Sequence, residues 1–224
     1  MEHYFTNNND LKSELRDIKY TLNEYNFMFK SDNGVFSKNE IDYGSEFLVK
    51  TFLESNKKNI NNLLDVGCGY GFIGVTLAKI LNVKVTMIDV NKRAVHLTKM
   101  NIEINKVNGE CFESNIYENI NSKYDLIISN PPIRAGKDVV LKILVGGLER
   151  LNKDGELWFV IRKNQGAESI KKRISKLASC IVVAKSKGFW IFCAKNRWFL
   201  LTLHYFTSII LNWWLICFFR KLKN

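Results

Sequence analysis

Leu63-Leu64-Asp65-Val66-Gly67-Cys68-Gly69-Tyr70-Gly71-Phe72-Ile73-Gly74 joins a short apolar strand to a helix through glycines at alternate positions. A turn of this kind lets the backbone approach a ligand closely and take positive φ. The helix that follows, carried by Val75, Leu77, Ala78, Ile80 and Leu81, offers unpaired N–H groups at its start. In a dinucleotide-binding chain those groups face a pyrophosphate, but the spacing there is Gly-x-Gly-x-x-Gly; here it is Gly-x-Gly-x-Gly, with an acid two residues before the first glycine. Taken alone, the segment is also compatible with a plain tight turn.

Apolar periodicity continues the alternation. It predicts helices over about 40 to 55, 71 to 81, 91 to 105, 137 to 151 and 166 to 178. Strands are expected near about 62 to 66, 84 to 89, 110 to 114, 124 to 129, 155 to 161, 180 to 185 and 189 to 194. Ser186-Lys187-Gly188 reads as the turn of a hairpin between the last two strands. A length of 224 residues with 46% hydrophobic content suits one α/β domain with a sizeable core and leaves no room for a second. Gly146-Gly147 inside a predicted helix costs about 1 kcal/mol per glycine relative to alanine, which close packing against the sheet would offset.

Two further features narrow the ligand. Lys84-Val85-Thr86-Met87-Ile88-Asp89 ends in an acid 18 residues after Gly71, close to the spacing at which a carboxylate reaches both ribose hydroxyls. Tyr124-Asp125-Leu126-Ile127-Ile128-Ser129 runs into Asn130-Pro131-Pro132. An exocyclic amine or amide nitrogen has a delocalised lone pair, so acceptors must take its hydrogens before it attacks a methyl donor. The Asn130 side-chain oxygen and the Pro131 carbonyl suit that task, and the two prolines remove competing donors and stiffen the loop. An ordinary strand-ending turn is the alternative for Asn-Pro-Pro in isolation. Together the features suit S-adenosylmethionine: Asp65 is expected near its amino-acid end, with Gly67, Gly69 and Gly71 letting the methionine and ribose portions lie against the loop.

In this order the motifs resemble the class I S-adenosylmethionine-dependent methyltransferases, in the branch that modifies amino nitrogens. Phe29-Lys30-Ser31-Asp32-Asn33-Gly34-Val35-Phe36-Ser37-Lys38, followed by Ile41-Asp42-Tyr43-Gly44-Ser45, narrows the resemblance. It is to RsmC-type ribosomal RNA guanine-N2 methyltransferases of the short, single-domain kind, over roughly residues 3 to 195. The resemblance implies a Rossmann-like fold with a mostly parallel seven-stranded sheet and an antiparallel C-terminal strand. It also implies a methyltransferase domain over residues 1–196, with ribosomal RNA or the small ribosomal subunit as partner. Phe36 and Ser37 would then border the cofactor and target pocket. Ser114 or Asn115 would stand where this class contacts adenine, although both also read as ordinary strand-end turn residues.

One departure bears on mechanism. Many amino methyltransferases follow Asn-Pro-Pro with an aromatic residue on which the flipped base stacks, whereas this chain has Ile133. Ile133 would pack on the base without a π contact, or Phe36 would take the stacking role. It disfavours a transfer RNA adenine or a protein glutamine amide as the target of the same fold.

The net charge is +11, and setting aside the four basic residues beyond Asn196 leaves +7, an excess that favours a polyanionic partner. Arg134 and Lys137 beside the Asn-Pro-Pro loop, and Arg162 and Lys163 at a strand end, are candidate phosphate contacts. Lys171, Lys172, Arg173 and Lys176 also read as a solvated helix face. Cys68, Cys111, Cys180, Cys193 and Cys217 form no C-x-x-C pair and suit a reducing, cytoplasmic setting, and residues 1–10 lack a signal peptide's apolar run. His3, His96 and His204 are isolated in the sequence, so no metal is expected.

The resemblance does not extend to residues 197–224, a hydrophobic C-terminal tail. Residues 198–219 form a stretch of 22 without acid or strong base, flanked by cationic residues. It is long enough for a membrane anchor, but His204, Asn212, Thr202, Thr207 and Ser208 interrupt it. A packing helix and an out-of-frame extension are the other readings. An anchor would admit a membrane-tethered S-adenosylmethionine-binding protein without catalysis.

Overall fold

Neighbouring residues on the central strands divide between two cores, which is how a sheet covered by helices on both faces must be built. The computed structural model describes residues 11–197. Its main sheet comprises β3 (Asn62–Val66), β4 (Lys84–Asp89), β5 (Gly109–Glu113), β6 (Tyr124–Ser129), β7 (Leu151–Arg162), β8 (Ser179–Ser186) and β9 (Phe189–Lys195). The strand order is β5-β4-β3-β6-β7-β9-β8. Strands β5 to β7 in that order are parallel, and β9 runs antiparallel between β7 and β8. The expected Rossmann-like methyltransferase fold and its C-terminal hairpin are therefore present.

Leu63, Leu126, Ile128 and Val160 face a core with α1 (Tyr43–Ser55), α2 (Phe72–Leu81) and α3 (Lys92–Asn105). Leu64, Ile127, Phe159 and Ile161 face the opposite core with α4 (Lys137–Glu149) and α5 (Ala167–Ile174). Each predicted helix and strand is found within a few residues of its expected bounds.

The glycine pair in α4 has a packing cause. A Cβ at Gly146 would lie 2.7 Å from the ring of Tyr117, and one at Gly147 would lie 2.8 Å from its hydroxyl. The ring rests on the bare helix backbone, and its hydroxyl donates to the Ile143 carbonyl at 2.7 Å.

An N-terminal hairpin was not anticipated. Its strands, β1 (Arg16–Leu22) and β2 (Tyr25–Ser31), form a separate two-stranded sheet. Phe29 is fully buried, its ring 5.6 Å from that of Phe72 on α2. On the free edge of β2, the Asn101 side chain accepts from Lys30 N at 2.7 Å and donates to Lys30 O at 2.9 Å. Asn105, one turn along α3, does the same for Met28 at 3.1 and 2.8 Å. The hairpin is thereby fastened to α3 beside the glycine turn.

The four cysteines among the described residues are buried and free. No described helix is long and apolar enough to cross a membrane. The apolar stretch from 198 and the N-terminal ten residues lie outside the described residues.

Candidate active site

Beyond the carboxyl ends of the parallel strands, the glycine turn is pinned on β4. Gly67 N and Cys68 N both donate to the Ile88 carbonyl, at 2.9 and 3.1 Å, and Gly69 N donates to Asp89 Oδ2 at 2.9 Å. Gly67 and Gly69 have φ of +72° and +60°, and a Cβ on either would meet no protein atom within 4 Å. Both line a cavity of about 320 Å³, so a side chain at either position would project into space a ligand needs. Gly71 is the N-cap of α2 and packs on Thr98, whose hydroxyl donates to the Gly69 carbonyl at 2.9 Å.

Asp65 stands elsewhere than expected. It is fully buried beneath the turn and does not line the cavity, because strand alternation sends it to the α2 face together with Leu63. Its Oδ2 accepts from Gly74 N at 2.9 Å and so ties β3 to the first turn of α2. Burial pushes its carboxyl up to about 7, opposed by the Gly74 hydrogen bond and assisted by the Asp89 charge.

Asp89 does border the cavity, between the glycine turn and Val90. Burial pushes its carboxyl up to about 6 against the hydrogen bonds it accepts from Asn91, Gly69 and Val90. Ser114, Asn115 and Ile116 form the adjoining wall. The Ser114 hydroxyl donates to Ile116 O at 3.0 Å and accepts from Asn119 N at 3.3 Å, so its side chain shapes the wall. Asn115 Nδ2 donates to Glu118 Oε1 at 2.8 Å. Ile116 has φ of +54°, an unusual conformation for a β-branched residue and a point of stored strain at the cavity edge.

At the far side lie Asn130, Pro131 and Pro132. Asn130 Nδ2 donates to Asp42 Oδ2 at 3.1 Å and to Ser45 Oγ at 2.9 Å. An ionised carboxylate only accepts, so Asp42 sets the orientation of the amide: its NH2 turns to α1, leaving Oδ1 as the group presented to the cavity. Asp42 is itself held as the N-cap of α1, accepting from Ser45 N at 2.8 Å. Ser129, just before, donates to the Val66 carbonyl at 2.7 Å and joins the ends of β6 and β3.

Phe36 and Ser37 also line the cavity, Phe36 at 39% exposure and Ser37 with its hydroxyl donating to Glu40 O at 2.7 Å. Ile133 does not line it: it opens a short 3-10 turn, Ile133–Ala135, and packs against the α4/α5 core. Arg134 and Lys137 are exposed outside the cavity, Lys137 donating to Ser169 Oγ at 2.8 Å. One cavity thus gathers Gly67, Gly69, Asp89, Ser114, Asn115, Asn130, Pro131, Pro132, Phe36 and Ser37, but not Asp65, Gly71, Ile133, Arg134 or Lys137. Asp42, Ser45 and Ile116 were not singled out as site residues. Asp42 and Ser45 stood inside the quoted Asp-x-Gly-Ser segment, but their pairing with Asn130, 88 and 85 residues away, has no local signal.

The sequence profile of the methyltransferase small domain matches residues 26–193. The chain belongs to that family. This methyltransferase is similar to the uncharacterised protein YbxB of Bacillus subtilis strain 168, 42% identical over 200 residues, covering 87% of this chain and 98% of the relative. It is 41% identical over 140 residues to ribosomal RNA small subunit methyltransferase C of Buchnera aphidicola subsp. Schizaphis graminum, covering 60% of this chain but only 41% of that protein. The chain therefore spans less than half the length of that relative. Its fold matches the Thermus thermophilus 16S rRNA N2 G1207 methyltransferase (RsmC) in complex with AdoMet and guanosine, with a TM-score of 0.75 at 22% identity. The match covers 84% of this chain and 52% of that one.

The chain is thus a methyltransferase of the small-domain family, similar to RsmC in sequence and with its class I fold; the group bound by that RsmC structure is S-adenosylmethionine. The residues present fit that group. The glycine floor leaves room at Gly67 and Gly69, Asp89 offers a carboxylate, and Val90 and Ile116 add apolar wall.

Proposed function

We propose that this methyltransferase modifies the exocyclic N2 amine of a guanine in small-subunit ribosomal RNA, within a cytoplasmic domain spanning residues 1–196. The observation that carries the reading is the Asn130 amide, fixed by Asp42 and Ser45 so that its oxygen is the group offered to the cavity. The RsmC relatives and the 16S rRNA N2 methyltransferase fold support guanine and ribosomal RNA as the target.

The target base is turned out of its stack to reach the cavity. Asn130 Oδ1 and the Pro131 carbonyl accept the two amine hydrogens and hold the nitrogen lone pair toward the methyl donor. Asp89 accepts from ribose hydroxyls, while Ser114, Asn115 and Ile116 shape the adenine wall. When bound, S-adenosylmethionine supplies a methyl already activated by its sulfonium. Positioning by the chain's own residues is therefore the main source of rate. Phe36, half-exposed on the cavity wall, is the aromatic candidate for packing on the base, because Ile133, partly buried against the α4/α5 core, does not line the cavity. The proton released from the amine passes to water.

The test is transfer of labelled methyl to unmodified small subunits and to their free RNA, followed by nucleoside analysis. Label is expected in N2-methylguanosine and absent with Asn130→Ala, whose cofactor affinity stays within about twofold of the parent. Label in N6-methyladenosine or in protein would move the target to the alternatives that Ile133 disfavours. Cofactor binding without transfer to any of these would refute the reading.

A further inference from the structure

Beside the active site, a second concave surface gathers unpaired cations. Arg162 ends β7, Lys163 follows it, and Lys187 sits in the turn between β8 and β9; all three are exposed and border one groove. Because β9 is antiparallel to both neighbours, that turn lies at the same end of the sheet as the carboxyl ends of the parallel strands. Lys163 N donates to the Gly188 carbonyl at 2.8 Å and joins the two segments. None of the three cations forms an ion pair with a carboxylate among the described residues, although Glu168 also borders the groove.

Two of them rest on rings instead. The Arg162 guanidinium lies 4.3 Å from the centre of Phe189, and Lys187 Nζ lies 4.5 Å from that of Tyr43. The two rings are 5.6 Å apart, so the four side chains form a single strip. Gly44 permits this, since a Cβ there would come within 2.6 Å of the Phe189 ring. Lys187 is held at φ of +45°, where asparagine or glycine would sit with less strain.

Two links tie the strip to the elements that build the catalytic cavity. Tyr43 lies between Asp42 and Ser45, which orient Asn130. Lys137, at the end of the Asn-Pro-Pro turn, reaches Ser169 on the groove wall.

We propose that this basic strip holds the single-stranded RNA flanking the extruded base, with Arg162, Lys163 and Lys187 on its phosphates and the Phe189 and Tyr43 rings holding Arg162 and Lys187 in place. The inference rests on RNA being the substrate and adds where the strand runs. Cations supply the sequence-independent attraction to phosphates, and the rings beneath them fix where that charge stands.

The test compares two triple variants that remove equal charge: Arg162→Ala/Lys163→Ala/Lys187→Ala on the strip, and Lys172→Ala/Arg173→Ala/Lys176→Ala on the exposed face near the far end of α5. Binding of unmodified small-subunit RNA is titrated from low to high salt alongside cofactor affinity. For single strands the slope of log K against log salt is about 0.7 per phosphate contact, so the strip variant should lose about 2 from the slope. That corresponds to up to about 50-fold in affinity near 0.15 M salt, with convergence near 1 M. Its cofactor affinity should be unchanged, and the α5 variant should move RNA binding by only a few fold. Equal losses in the two variants, or no loss on the strip while the parent still methylates RNA, would overturn the strip and leave the proposed function standing. Failure of the parent to bind or methylate any RNA would overturn both.

Discussion

Replacing Asp42 with alanine tests whether the Asn130 amide acts by orientation. The substitution removes one of the two acceptors for the Asn130 NH2 group, a bond of 3.1 Å to a carboxylate. It also removes the electrostatic bias against the flipped amide, whose oxygen would face that carboxylate. A hydrogen bond to a charged group contributes about 1.5 to 3 kcal/mol. At about 1.4 kcal/mol per decade, single-turnover methyl transfer at saturating cofactor and RNA should slow about 10- to 150-fold. Losing the N-cap of α1 costs a further ~1 kcal/mol of stability, a fall in Tm of about 2 to 4 °C for a domain of this size. Asp42→Asn keeps an acceptor oxygen and should fall between the parent and Asp42→Ala. Cofactor affinity, measured by calorimetry, should stay within about twofold in both. A rate within about twofold of the parent for Asp42→Ala, with Asn130→Ala inactive, would refute orientation by Asp42.

The Asp89 carboxyl, held up to about 6 by burial, is protonated below that pH and ionised above it. Ribose hydroxyls favour the ionised acceptor, so cofactor Kd should be flat above about pH 7 and rise by up to tenfold per unit below about 6; Asp89→Asn should remove the inflection, and a pH-independent Kd in the parent would count against the assignment. Gly146→Ala gains about 1 kcal/mol in helix propensity but drives a methyl to 2.7 Å from Tyr117, an overpacking cost of about 1 to 3 kcal/mol. Its Tm should fall or stay level in a calorimetric scan; a higher Tm would show that the ring does not need the bare backbone.

The parallel sheet and its helices were legible because each strand is an apolar run and each helix is bounded by turn chemistry, so local pattern and final fold agree. Asn130, Asp89, Gly67 and Gly69 were legible for a related reason: each sits at a strand's carboxyl end, where the topology opens a crevice. Asp65 sits one position too early for that crevice, and strand alternation buries it under α2. Ile133, Arg134 and Lys137 follow the prolines in sequence, but a short 3-10 turn carries them out of the cavity. The N-terminal hairpin was missed although Ile18, Leu22, Phe27 and Phe29 are its buried alternate positions. Its connecting turn, Asn23-Glu24, lacks the glycine that marks such turns. The clamp from Asp42 and Ser45 to Asn130 joins residues 88 and 85 positions apart, and no periodicity encodes it.

The paired asparagines on α3 act as a ruler. Four residues of helix rise about 6 Å, and two residues of strand rise about 6.7 Å. Asn101 and Asn105 therefore meet Lys30 and Met28 in step, each reading both backbone groups of its residue. A slip of one residue would bring up residues whose N–H and C=O point away, toward β1, and would turn Phe27 and Phe29 to water. The seating of the hairpin is thus quantised in pairs of residues. The same amides occupy the polar groups that this margin of β2 would otherwise offer to a stranger, so at Met28 and Lys30 the edge is closed against strand addition without a third strand.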